Sequence, residues 1–208
     1  MKRFAFVVVL GCASVGMVGA QDHRFTIHGG GGFTMPVQDL DSRLKPGFNL
    51  LAGAGINLTR SFSVVGEFHY NDLGVSDRQL AALQMPDGSS RMYAATINPV
   101  IRFGARGPFR VYATAGGGVY HRKIEFTQPT VETITVFDPW WGVVYPANVP
   151  ANQILASYGT TKGGVNAGAG FEVPLGEGRP KIFAEARYHR MFTNTPTTLL
   201  PVTFGLRW

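Results

Sequence analysis

The stretch Leu199-Leu-Pro-Val-Thr-Phe-Gly-Leu-Arg-Trp208 decides how the rest of the chain is read. Apolar side chains fall at Leu200, Val202, Phe204, Leu206 and Trp208, with Pro201, Thr203, Gly205 and Arg207 between them. A strand with this period of two has one apolar face and one mixed face. In a water-soluble protein the apolar face would turn into a core, and a chain would seldom stop on an aromatic in mid-strand. In a membrane-spanning barrel the same pattern is a lipid-facing strand, its final aromatic seated in the interfacial girdle.

Composition favours the second reading. Glycine is plentiful at 27 residues, while charged residues make up only 15% of the chain, low against the usual quarter. Such a chain shows apolar surface to something other than water. No stretch beyond the first twenty residues is long and apolar enough for a spanning helix. That leaves a closed barrel as the membrane solution. The positive balance of +6 falls to +4 once Lys2 and Arg3 are set aside, and no Lys/Arg run lies behind it, so nucleic acid is not an expected partner.

Residues 1–20 read as a cleaved N-terminal signal peptide, and 21–208 as one barrel domain. Met1-Lys2-Arg3 is a short positive segment, Phe4–Leu10 is apolar, and Val18-Gly19-Ala20 supplies small residues before a cut ahead of Gln21. The competing reading is lipoprotein processing at Cys12, because Val9-Leu-Gly-Cys12 loosely resembles a lipobox. It would cut after a very short apolar run and leave Ala13–Ala20 on the mature chain. With cleavage after Ala20 the mature protein has no cysteine, so no disulfide or thiolate metal site is available to it.

Seven further segments alternate like the terminal one. Strand one spans about Arg24–Thr34, strand two Gly47–Leu58, strand three Phe62–Asn71 and strand four Arg91–Gly104. Strand five runs from Phe109 to about Ile124, strand six over Thr160–Val173 and strand seven over Lys181–Met191. In strand one, Phe25, Ile27 and Phe33 oppose Thr26 and His28. The run Gly29–Gly32 carries no Lys-Ser/Thr of a phosphate loop, and glycine that lets backbone approach packed side chains is the better account. Pro99 is expected at a bulge. Pro36–Pro46 reads as a polar loop. Asp72–Ser90 reads as a long connection in which Ser76-Asp-Arg-Gln79 is a capping box opening a short helix to Leu83. Thr127–Tyr158 reads as the longest loop, carrying Phe137-Asp-Pro-Trp-Trp141 and Val143-Val-Tyr-Pro146.

Connections alternate long and short, which matches surface loops and periplasmic turns with both termini on the periplasmic side. The expected fold is an all-β, eight-stranded antiparallel transmembrane up-and-down β-barrel. Six or ten strands would follow if the long loops are misread.

Glu185-Ala-Arg-Tyr-His189 followed by the terminal strand resembles small bacterial outer-membrane β-barrel proteins, the opacity-protein-like eight-stranded families. Asn98-Pro-Val-Ile-Arg-Phe-Gly104 and the turn into Pro108-Phe109 add weaker support. The resemblance spans about Gln21 to the C-terminus. It implies location in the bacterial outer membrane and insertion by the barrel-assembly machinery, which would read the terminal strand through Phe204, Leu206 and Trp208. It implies little about activity.

If the strand parities hold, Glu67, His69, Arg102, Arg110, Arg122, Glu172, Glu185, Arg187 and His189 share the lumen. An eight-stranded barrel is just wide enough for side chains to fill it, and buried charges there must pair. A structural ion-pair network is the first reading, and a constricted polar path for ions or small solutes is the second. Catalysis has one candidate. Lipid A deacylases among small outer-membrane barrels place a serine two residues after a histidine, followed by asparagine. Here His189 and Asn194 are present but Met191 stands in the serine's place, and Thr193 is wrongly spaced. Without a nucleophile beside a base the chemistry has no first step. No catalytic residue, cofactor or metal site is therefore expected; His23, His28, His69, His121 and His189 sit singly. Trp140, Trp141 and Tyr145 read either as an interfacial or self-packed cluster, or as a contact surface for a ligand or host partner. The expected role is anchoring or surface interaction by a monomer in outer-membrane lipid, with a small passive pore as the alternative and a lipid-modifying hydrolase a distant third.

Overall fold

The computed structural model describes residues 24–104, 109–176, 180–193 and 196–208. The expected signal peptide, Cys12, His23 and Asn194 lie outside the described residues. Eight strands form one closed antiparallel barrel in sequence order: β1 (Phe25–Pro36), β2 (Gly47–Asn57), β3 (Phe62–Gly74), β4 (Asp87–Phe103), β5 (Arg110–Asp138), β6 (Val143–Pro174), β7 (Lys181–Met191) and β8 (Thr197–Arg207). The terminal strand pairs with β7 on one side and closes onto β1 on the other. At the seam, Ile27 and Trp208 exchange backbone hydrogen bonds, and the Thr26 hydroxyl donates to the Trp208 carbonyl at 2.9 Å.

One circuit of the register runs His28, Gly53, Glu67, Thr96, Gly118, Gly164, Met191, Thr197. Extending the β8–β1 pairing from Thr197 returns to position 38, ten residues along from His28. That stagger is what tilted strands need in order to close. Alternation then sorts side chains between two surroundings. Phe25, Ile27, Phe48, Leu50, Phe68, Ile97, Val119, Val165 and Phe204 point outward and are exposed, while Thr26, His28, Asn49, Glu67, Asn98, Tyr112 and Glu185 point inward and are buried.

Half of the capping box forms: Ser76 caps α1 (Asp77–Leu83), its hydroxyl accepting from the Gln79 N–H, while its own N–H donates to the Arg43 carbonyl and not to the Gln79 side chain. Several expectations need correction. β3 runs to Gly74 and β4 starts at Asp87, so the connection between them is shorter than Asp72–Ser90. Pro36–Pro46 is not merely a polar loop, since it holds a 3-10 turn (Gln38–Leu40) and buries Leu40 and Leu44. Pro99 makes no bulge. The β4–β5 register is the same on both sides of it, with pairing interrupted only at Asn98 and Pro99. Arg102 donates its backbone N–H to Ser61 on the β3 side, so odd-numbered β4 residues face β5, and a proline there has no N–H to give.

The largest correction concerns Thr127–Tyr158. This is not a loop but the upper half of a hairpin, because β5 and β6 stay paired as far as Asp138↔Val143. β5 has 29 residues and β6 has 32, where about 9–11 suffice to cross a bilayer. Tyr145 accordingly lies on a strand, and only Trp140 and Trp141 sit in the turn. One register shift falls between Phe126 and Thr127, where Leu155 is the extra residue on β6. Above it the ribbon has no neighbours, because β4 ends at Asp87↔Thr127 and β7 at Met191↔Gly164.

Candidate functional site

The lumen is filled in two tiers. In the lower one, Glu67 accepts from Arg187 and Asn98 and lies 2.8 Å from His28 Nε2. Arg187 Nε lies 2.6 Å from Glu185 Oε1, and the Tyr112 hydroxyl donates to Glu185 Oε2 at 2.9 Å. Glu172 forms a second node. Arg207 donates to it at 3.0 Å, Lys181 at 3.3 Å, and Arg102 Nε stands 3.5 Å away. Arg207 also lies over the Tyr112 and Phe183 rings at 4.7 and 5.2 Å, a cation–π arrangement.

These contacts depend on missing side chains. His28, Gly53 and Glu67 occupy one rung of three adjacent strands, and so do Tyr112, Gly170 and Glu185. In both cases two large residues meet across a central glycine. A Cβ on Gly53 would lie 2.6 Å from the His28 ring, and one on Gly170 would lie 2.6 Å from the Tyr112 oxygen. Glycine on the middle strand therefore makes the room in which a carboxylate finds its partner.

Of the residues assigned to the lumen from sequence, Glu67, His69, Arg102, Glu172, Glu185, Arg187 and His189 are all buried inward. The His69 and His189 rings lie 4.8 Å apart, and His189 Nδ1 is 3.1 Å from the Tyr120 hydroxyl. Arg122 donates to Thr197 rather than to a carboxylate, at 2.6 Å. Arg110 sits across a rung from Glu172 and makes no ion pair with it among the described residues. His28, Lys181 and Arg207 belong to the network although sequence reasoning left them out. Alternation puts them on the inner face, but only the register shows which acid each one meets.

The upper tier is an apolar cap. Leu40 and Leu44 from the β1–β2 connection and Leu80 of α1 fold over the barrel end. They pack with Leu73, Val75, Met92, Ala94, Tyr120, Phe126, Met191 and Leu199. A bridge between Leu44 and Val75 and the backbone bond from Ser76 N–H to the Arg43 carbonyl tie the two connections together. Met191, which stands where a deacylase would have its serine, is part of this cap. No group of three or more His, Asp, Glu or Cys with metal-binding geometry occurs among the described residues.

Outside, Phe48, Tyr70, Tyr93 and His121 form a chain of ring contacts across four strands. Two rungs higher, Asp72, Arg91 and Lys123 lie side by side, with Glu125 taking contacts from Arg91 at 2.9 Å and Lys123 at 2.7 Å. Aromatic rings below charges mark an interface between lipid and water. Phe204, Leu206 and Trp208 face outward near the opposite end. Above the charged rung stands the bare ribbon, with Trp140 92% and Trp141 81% exposed at its turn.

A closed eight-stranded barrel, apolar outside and polar within, has its counterpart among known sequences. The profile described as "Outer membrane protein beta-barrel domain" matches residues 4–206. The chain belongs to this outer-membrane β-barrel family. It is a protein of the bacterial outer membrane, and its apolar outer wall is the lipid-facing one. Among solved structures this barrel is similar to Neisserial surface protein A, at 13% identity and a TM-score of 0.56, over 88% of this chain and 95% of that one. Ail, the attachment invasion locus protein of Yersinia pestis, gives 17% identity and a TM-score of 0.47, over 88% and 97%. OprG of Pseudomonas aeruginosa gives 11% and 0.47, over 88% and 95%. No curated protein sequence matches significantly. Likeness this remote speaks for the fold alone.

Proposed function

We propose that the protein is an outer-membrane anchor whose lumen is closed to solutes and whose task is to hold the β5–β6 ribbon at the cell surface. The observation that carries this reading is the double filling of the lumen. Charges pair across the lower half of the lumen, and the cap of Leu40, Leu44 and Leu80 packs above them. An apolar layer over a charged one opposes ion passage twice, once by packing and once by the cost of desolvating an ion. In barrels of this class the termini and short turns face the periplasm, which directs the cap and the ribbon outward. Phe204, Leu206 and Trp208 would serve the barrel-assembly machinery as its recognition strand. The barrel would work as a monomer surrounded by outer-membrane lipid.

Planar-bilayer recording from purified protein tests the closed lumen. Little or no current is expected. Steady, large unitary conductance would overturn the anchor reading and replace it with a passive pore.

A further inference from the structure

Between Glu132 and Lys162 the chain carries a single charged residue, Asp138. That carboxylate is engaged within the turn, accepting from the backbone N–H of Trp140 at 2.9 Å and of Trp141 at 3.3 Å. Around it Phe137, Val143, Val144 and Tyr145 are exposed along with the two tryptophans. The ribbon's last segment is thus aromatic, aliphatic and without free charge, and it is held in one shape by a paired ladder.

Two features narrow down what such a surface meets. The outer face of the ribbon continues the outward face of β5 and β6 beyond the register shift, with Val131, Phe137, Val144 and Ile154 exposed among Thr133, Asn148 and Asn152, and it becomes wholly apolar only at the Phe137–Val144 rung beside the turn. The ribbon's edges, by contrast, are interrupted by proline. Pro129, Pro146 and Pro150 pair with Asn152, Thr135 and Val131. These rungs all belong to the class whose N–H and C=O groups point away from the partner strand, as the bond from Phe192 N–H to the Gly163 carbonyl fixes for β6 below the shift. Each proline therefore removes a donor from an open edge, the usual obstacle to pairing with another chain.

We infer that the tip of the β5–β6 ribbon docks on a second, apposed phospholipid bilayer, entering it to interfacial depth through Phe137, Trp140 and Trp141. Tryptophan favours that depth because its ring is apolar and its N–H stays wet. Deeper entry is opposed by the carbonyls on the open edges, which hydrocarbon cannot satisfy. The protein's own leaflet is not the target. The aromatic row and the Asp72–Arg91–Lys123 rung mark its rim, and about eleven rungs of ribbon, roughly 35 Å at the usual rise, carry the turn away from that rim.

The inference rests on the anchor reading, and its test is separate from conductance. Trp140, Trp141 and Trp208 are the chain's three tryptophans, so Trp208→Phe leaves emission from the turn alone. This protein, held in phosphatidylcholine nanodiscs, is mixed with phosphatidylcholine vesicles whose acyl chains are brominated. The turn's emission is expected to shift to the blue and lose intensity, and the nanodiscs are expected to float with the vesicles. Trp140→Ala/Trp141→Ala, its barrel checked by the gel shift of unboiled protein, should lose the co-flotation. Unchanged emission with added vesicles overturns the inference. Quenching only when the brominated lipid is in the nanodisc itself also overturns it, in favour of the protein's own leaflet.

Discussion

The lower and upper halves of β5 and β6 are the same two strands in two different surroundings. Below Phe126, wherever β4 and β7 flank the two strands, residues meet either lipid or the packed lumen as far as the charged rim. There the sequence alternates, as in Val111, Ala113 and Ala115 against Tyr112 and Thr114. Above it neither wall exists, and the pattern dissolves into Thr, Val, Ile and Pro, with most residues exposed on both faces. The ladder persists through both. What differs is where stability resides: side-chain contacts fix the barrel, whereas the ribbon stands on backbone pairing and a capped turn. Substitutions in the lumen should therefore move the unfolding midpoint, and substitutions in the ribbon should move what the protein touches.

The largest effect on stability is expected at Glu67. This carboxylate is buried and takes contacts from Arg187, His28 and Asn98, more partners than Glu185 has in Arg187 and Tyr112. Removing one partner of a buried ion pair leaves the other charge uncompensated and typically costs about 3–5 kcal/mol. Glu67→Gln should lower the unfolding free energy of protein in detergent, read from denaturant titration, by that order, and Glu185→Gln by less. Midpoints equal to wild type for both would remove the network as a source of stability while leaving its geometry as described.

Next comes the room that the glycines make. A Cβ at Gly53 must displace the His28 ring or the Glu67 side chain, whereas a Cβ at Gly163, on the lipid side, meets nothing nearer than 4.0 Å. Overpacking of this kind costs roughly 1–3 kcal/mol. Gly53→Ala should destabilise by about that much, and Gly163→Ala should be nearly silent. If thermal melts rank the two equally, the rung in which large residues meet across a glycine is not what positions the carboxylate.

The same contrast explains what could be read from sequence. Where two surroundings press on a strand, residue parity shows which side chains face in. The bounds of β7 could be read outright for that reason. Register could not be read, because parity does not say that Gly53 stands between His28 and Glu67. Parity therefore puts Arg207 and His28 on the inner face and names no partner for either. The ribbon was hidden for the complementary reason: with no wall to impose alternation, Thr130–Val136 looks like a loop. The cap was hidden because Leu40, Leu44 and Leu80 sit alone among polar neighbours, and the turns that carry them bring them together only in three dimensions.

The smallest expected effect on stability is also the one that most separates the two halves. Pro129, Pro146 and Pro150 contribute nothing to the lumen and break no bond within the ribbon, because their nitrogens face its open edges. Replacing all three with threonine should leave the barrel's unfolding free energy within about 0.5 kcal/mol of wild type, the usual range for surface positions. It would, however, restore three N–H donors, one on the β5 edge and two on the β6 edge. A flat, β-branched and largely uncharged ribbon with restored donors is a template for pairing with a second copy. Sedimentation in detergent should then show wild type as a monomer and the triple variant as dimers or larger species. The association should persist in high salt, because backbone hydrogen bonds and not charges would hold it. A triple variant that remains monomeric would show that the prolines are not what guards the edges. The twist of a two-stranded ribbon would then be the remaining guard.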